Sequence, residues 1–276
     1  MLMRTTSRSV LPGFALSVGI TLFWLSVIVL IPLSAVFAKS AAGGWDAFVA
    51  AALSDRAIAA YKLSFGAALV GAAINCMFGL IVAWVLVRYD FPGKKLVGAA
   101  VDLPFALPTA VAGIALTALY ADTGLIGSLL AQFGIPVAYT PAGVVLALTF
   151  IGLPFVVRTL EPVLAEVSQE TEEAAMTLGA SRLQTIVRVI FPTILPALAT
   201  GFALAFARGA GEYGSVIFIA GNMPFESEIA PLLIVTQLEE FDYAGAASIA
   251  VVMLLVSFLM LMVLNLLQLW QRRRTG

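Results

Sequence analysis

Arg208 and Glu212 sit inside an apolar run near 194–220, in a chain where charge is scarce. At i, i+4 spacing they share one helical face. Counted from Pro196 at ~1.5 Å per residue, Arg208 lies roughly 18 Å along a helix. In a spanning helix that is near mid-membrane. A charge there costs at least about 2.5–3.5 kcal/mol, so the face should turn toward protein or water. Two readings stand side by side. The pair is a structural bridge that neutralises itself, or Arg208 helps an anion across while Glu212 sets its orientation. The same stretch reads Gly209-Ala210-Gly211-Glu212-Tyr213-Gly214, a GxGxxG. That fingerprint holds a dinucleotide only between a strand and a helix of a βαβ unit. No strand pattern precedes it, so the glycines read as places where a helix thins, bends and lets a neighbour approach.

Other chemistry is thinly represented. The 276 residues contain no histidine, which removes HExxH zinc sites and Ser-His-Asp triads. The single cysteine, Cys76, lies in an apolar run and reads as a small buried apolar residue. No metal-ligand cluster is evident. GxxxxGK[ST] is absent; "FPGKKL" has the Gly-Lys pair without the upstream glycine or the hydroxyl.

The elements that must hold these residues follow from composition. The chain is 61% hydrophobic and 11% charged, with mean hydropathy +1.04. A soluble domain carries about 25% charged residues. The solvent is therefore lipid, where helices or closed barrels alone satisfy the backbone. Long unalternating runs favour helices. Six runs lie near 13–38, 62–87, 103–120, 137–157, 194–220 and 246–270. The first follows Arg4 and Arg8 and ends in a cleavage-like Val36-Phe37-Ala38. It is too long for a signal h-region and reads as a retained helix. Six spans place Arg4, Arg8, Arg88, Lys94, Lys95, Arg158, Arg182, Arg188, Arg272, Arg273 and Arg274 on one side, against Lys39, Arg56 and Lys62 on the other. Eleven against three sets both termini in the cytoplasm. The net charge of −1 argues against nucleic acid.

Three organisational units follow: 1–60, with the first span and an outer interfacial segment around Trp45; 61–270, the spanning core; and 271–276, a basic tail. The third and fourth runs carry Pro104, Pro108 and Pro154 as interruptions. These are either simple kinks or breaks whose freed carbonyls line a pathway. The outer segment 221–245 contains "IAPLLIVTQL", too short to span. It also carries Glu226, Glu228, Glu239, Glu240 and Asp242. Such a loop is either a solvated acidic surface or a dock for a basic rim on a partner.

The cytoplasmic segment 158–190 is the most informative. A short surface helix is expected over 166–178, stopped by Gly179 as a left-handed C′ residue. Ser181 is placed to cap the next helix. Small residues at Ala174 and Ala175 allow another protein to pack closely. This stretch, "EEAAMTLGASRLQTIVRVIFP", resembles the EAA motif of ABC importer permeases. Glu173, Ala174, Ala175, Gly179 and Pro192 match it, with Glu172 just before. Val189 and Phe191 stand where the family has Ile and Leu. "DLPFALPTAVAG", "ARGAGEYGSVIFIAGNMP" and "EFDY" are similar to the sulfate and thiosulfate permeases of the CysT type. That resemblance covers about 11–267.

The resemblance implies a type I importer (MetI-like) fold: all-α, six transmembrane helices, in a bacterial inner membrane. It implies a second homologous permease subunit of the CysW type and two ATPase subunits of the CysA type. It also implies a periplasmic sulfate/thiosulfate-binding protein. ATP and Mg would sit on the ATPase subunits, with no cofactor on this chain, and 166–178 would be the coupling helix. Kept beside it are a molybdate or other oxyanion permease, and an ion-coupled secondary transporter or channel. A membrane enzyme has little to work with.

Overall fold

The computed structural model describes residues 14–275, so Arg4 and Arg8 of the charge count lie outside it. It is all-helical over those residues: α1 (Leu16–Ala41), α2 (Gly44–Ala52), α3 (Asp55–Arg88), α4 (Lys94–Ala106), α5 (Thr109–Tyr120), α6 (Gly127–Gln132), α7 (Pro141–Glu166), α8 (Gln169–Thr177), α9 (Arg182–Ala210), α10 (Val216–Ile219), α11 (Ala230–Glu239) and α12 (Tyr243–Thr275). Five of these, α1, α3, α7, α9 and α12, are long and apolar enough to cross a membrane. The bent pair α4–α5 makes a sixth span.

The core is a bundle of α3, α7 and α9. Its tightness comes from small residues. Along α3, Ala57, Ala60, Ser64, Ala67, Ala68, Gly71, Ala72, Asn75, Gly79 and Ala83 form a buried stripe at helical spacing. Val156 of α7 shows what such a stripe permits. A Cβ on Gly79 of α3 would stand 2.9 Å from Val156 Cγ1, and one on Gly201 of α9 would stand 3.0 Å from its Cα. Without hydrophobic drive between helices in lipid, this close van der Waals approach is what holds them. The helix α3 begins at Asp55 under a Ser54 cap, whose Oγ accepts from Ala57 N–H at 3.2 Å. Ala57 and Ala60 belong to the core. α3 therefore runs unbroken across residue 60.

Both long helices that carry a proline near a turn of π-helix show the same local cause. Ser26–Leu30 within α1 and Ile186–Ile190 within α9 are π turns, each followed two residues later by a proline, Pro32 and Pro192. Proline lacks an N–H and its ring clashes with the carbonyl four residues back. One wider turn relieves that clash.

Of the three prolines expected to interrupt spans, one does. The chain turns by 114° between α4 and α5, at Leu107-Pro108. Leu107 is extended at φ −80°, ψ 136°, as the residue before a proline prefers. Pro104 lies inside α4 and Pro154 inside α7, and both helices continue through them. The third run is thus a broken span whose first half starts earlier than its apolar stretch, at Lys94.

Candidate functional site: an exposed helix and a buried ion pair

The fourth span does not stop with its apolar run near 157. α7 carries on to Glu166, so the surface helix starts at 169 rather than 166. Ser168 caps it, accepting from Thr171 N–H at 3.3 Å. Its other end is a Schellman stop: Gly179 N–H donates to Met176 O (2.9 Å) and Ala180 N–H to Ala175 O (3.1 Å). Gly179 sits at φ +84°, where a side chain is strained. Ser181 and Gln184 form a reciprocal capping box at the start of α9. Glu173, Ala174 and Gly179 are exposed, and Glu172 and Ala175 half-buried. Leu178 is 89% exposed. The helix is thus closed at both ends by its own caps, with Met176 and the adjoining Leu178 exposed.

One residue of the core reaches it. Arg88, at the last turn of α3, places Nη2 2.6 Å from Glu172 Oε1 and donates to Val167 O at 3.3 Å. Its guanidinium lies over the Trp84 ring, 5.4 Å from the centroid. Just beyond, a hydrogen bond from Lys94 holds the exposed Asp90 carboxyl below the usual carboxylate range.

The opening pair is differently placed than its spacing suggested. α9 starts at Arg182 and ends at Ala210, so Arg208 is in its final turn and Glu212 lies beyond the helix. They still form an ion pair. Gly209 packs beside Ala68 of α3 and Leu148 of α7, which sets the pair within the bundle. Glu212 is 3% exposed and fully engaged. One oxygen meets Arg208; the other accepts from Ser215 N–H (2.9 Å) and Ser215 Oγ–H (3.0 Å). A third of the Arg208 side chain stays open. The apolar stretch after Glu212 is an irregular segment with one short helix, α10, wedged against α5. The GxGxxG straddles the helix end: Gly209 and Ala210 are helical and Gly211–Gly214 lie beyond it, so it thins no helix along its length, and no strand exists among the described residues.

Sequence reasoning missed several contacts. Arg158, sorted above into a segment beside the spans, lies within α7. Its guanidinium bonds Asp102 of α4 (2.8 and 2.5 Å), Gly98 O (2.9 Å) and Glu161 (2.5 Å). Glu228, counted among the acids of the outer mouth, is 4% exposed and bidentate with Arg56 at 2.7 and 2.8 Å. Asp242 caps Gly245 N–H at 2.8 Å. Glu226, Glu239 and Glu240 remain exposed. Asn75 is fully buried with neither side-chain polar atom bonded, its Nδ2 filling the space left by Gly152. The i, i+3 spacing of Arg158 and Glu161 was a visible signal. The partners 56, 84 and 172 residues apart left none.

A broken-span bundle that presents a capped, bare helix on its charge-rich side defines a permease subunit of an ABC importer. The family profile of binding-protein-dependent transport system inner membrane components matches residues 75–276. The sulfate transport system permease protein CysT of Salmonella typhimurium is 48% identical over 97% of this chain and 96% of its own length. That of Synechococcus elongatus is 52% identical over 93% and 92%. Among solved structures, a bacterial ABC transporter that imports the acidic polysaccharide alginate superposes with a TM-score of 0.77 at 17% identity, over 96% of this chain and 97% of that one. The chain belongs to the CysT family of binding-protein-dependent permeases, multi-pass proteins of the inner membrane. The partners of such a system are an ATPase and a periplasmic binding protein, and ATP hydrolysis lies on the other subunits.

Proposed function

We propose that this chain is one of two permease subunits of a sulfate importer that also carries thiosulfate. Its partner in the membrane is a homologous, CysW-type permease. Two CysA-type ATPase subunits hold ATP and Mg, and a sulfate/thiosulfate-binding protein delivers the anion. α8, with Glu172, Glu173, Ala174, Ala175 and the Gly179 stop, is the coupling helix. The observation that carries this reading is the exposure of α8: none of its described residues is buried. The near full-length likeness to sulfate permeases supplies the cargo.

The test is substitution on the bare face. Ala174→Trp leaves the chain's own packing untouched, because Ala174 is exposed. It should abolish co-purification of the ATPase subunits and sulfate uptake, while the chain still inserts. Retained ATPase binding would remove α8 from the interface. Competition assays then sort the cargo: uptake inhibited by molybdate and not by thiosulfate would favour a molybdate permease.

A second role belongs to Arg208. Supporting it is an asymmetry: Glu212 is sealed and fully bonded, whereas the guanidinium keeps an open side. Arg208 then faces the translocation path, and Glu212 fixes its orientation. Arg208→Gln should lower sulfate uptake about tenfold, the worth of one hydrogen bond to a charged group, and Arg208→Lys should lower it less. Normal uptake by an assembled Gln variant would return the pair to a purely structural bridge.

A further inference from the structure

α8 is joined covalently to two of the three core helices. Val167 and Ser168 connect it to α7, and 178–181 connect it to α9. The third core helix, α3, has no such connection. A groove of about 400 Å³, lined by Trp84, Tyr89, Glu172, Met176, Arg182 and Ile186 among others, lies between the end of α3, α8 and the start of α9. Across this gap Arg88 is the bridge. Its Nη2 reaches the Glu172 carboxylate at 2.6 Å and the Val167 carbonyl at 3.3 Å, and its flat face lies over Trp84.

We infer that Arg88 is a transmission residue, which makes α3 move with the coupling helix when the ATPase subunits close. Three features point this way. The guanidinium holds the helix α8 and the joint before it at once. It sits at the C-terminus of α3, where the helix dipole favours a cation. It is braced by an aromatic ring on its own helix, so a push on Glu172 is passed to α3 rather than absorbed by a swinging side chain. α3 carries the stripe of small residues that packs α7 and α9, so displacing its inner end shifts the whole bundle. Arg88 touches neither cargo nor nucleotide on this account; it positions, acting through Glu172. The inference rests on the reading of α8 as the coupling helix.

The experiment uses the complete transporter in liposomes, with binding protein and sulfate. ATP hydrolysed and sulfate imported are measured in the same preparation, together with ATPase co-purification. Arg88→Gln should assemble and hydrolyse ATP, with sulfate moved per ATP reduced about fivefold or more, the lower end of a typical coupling between sites, and Glu172→Gln should lower the same ratio. The exchange Arg88→Glu with Glu172→Arg should recover part of that loss. A merely structural Arg88 would lower the amount of transporter and leave the ratio alone. Where Arg88→Gln does not assemble, the exchange decides, since one substitution repairs the other only through a direct Arg88–Glu172 contact. An unchanged ratio in Glu172→Gln, or an exchange no better than the single variants, overturns the proposal. An Ala174→Trp chain, otherwise unchanged, that still binds the ATPase subunits would instead sink the coupling-helix reading beneath it.

Discussion

Segments 167–181 and 211–229 both follow a spanning helix, α7 and α9, and they satisfy their polar groups differently. The cytoplasmic one satisfies its backbone locally, through the Ser168 cap, the Gly179 stop and the Ser181–Gln184 box. It gives its side chains to the solvent. The other adds to its own local bonds contacts with the rest of the protein. Ser215 bonds Glu212, Ser227 Oγ accepts from Met223 N–H, Ser64 Oγ of α3 accepts from Ala230 N–H, and Tyr139 N–H donates to Ile219 O. Val216, Ile219 and Ala220 are wholly buried. Non-helical backbone at membrane depth survives only when protein covers it. The first segment is therefore a handle and the second a fixture.

The backbone strain follows the same division. In the handle the left-handed position is a glycine, Gly179. In and around the fixture Tyr139, Asn222 and Phe225 take φ of 64°, 57° and 68°. A left-handed non-glycine residue costs about 1–2 kcal/mol, and the surrounding contacts must hold it there.

The sharpest way to break the contrast is at Gly113 of α5. A Cβ there would stand 2.3 Å from Ser215 O and 2.8 Å from Ser215 Cα, both backbone atoms that cannot rotate away. Gly113→Ala must displace the residues that bond Glu212. The expected cost is about 1–3 kcal/mol, as for other overpacked cores, with a lowered melting temperature in detergent and reduced uptake. A variant that melts with the wild type would show that the fixture yields as readily as the handle.

How much of this was legible depends on which physical demand wrote the sequence. The spans were readable because the bilayer requires long apolar runs, and the Gly179 stop and Ser181 cap because turn chemistry restricts residue type. The length of α7 was hidden: its last turns, through Pro162 to Glu166, are amphipathic and lie past the apolar stretch. The end of α9 was hidden for the reverse reason. Residues 215–220 are as apolar as a helix in lipid, yet they form the buried fixture; hydropathy reports burial, not helicity. The prolines were ambiguous because a proline restrains the preceding residue without forbidding a helix there. Leu107 took the extended conformation and Leu103, before Pro104, remained helical. Arg88–Glu172 and Arg56–Glu228 join residues far apart in the chain, which no local pattern encodes.

The milder probe is Gly179→Ala in the handle. Nothing lies within 4 Å of a Cβ there, so the cost is conformational alone, about 1 kcal/mol for a left-handed alanine. Because none of the described residues of α8 is buried, that cost is met by fraying its last turn, not by loosening the bundle. The melting temperature of the isolated chain should stay at the wild-type value, while affinity for the ATPase subunits falls several-fold. The pairing with Gly113→Ala makes the comparison quantitative, since the same added methyl lowers stability at one site and partner binding at the other. A Gly179→Ala chain that unfolded early would mean that α8 is part of the bundle's cooperative unit, and the handle would have to be redrawn as structure.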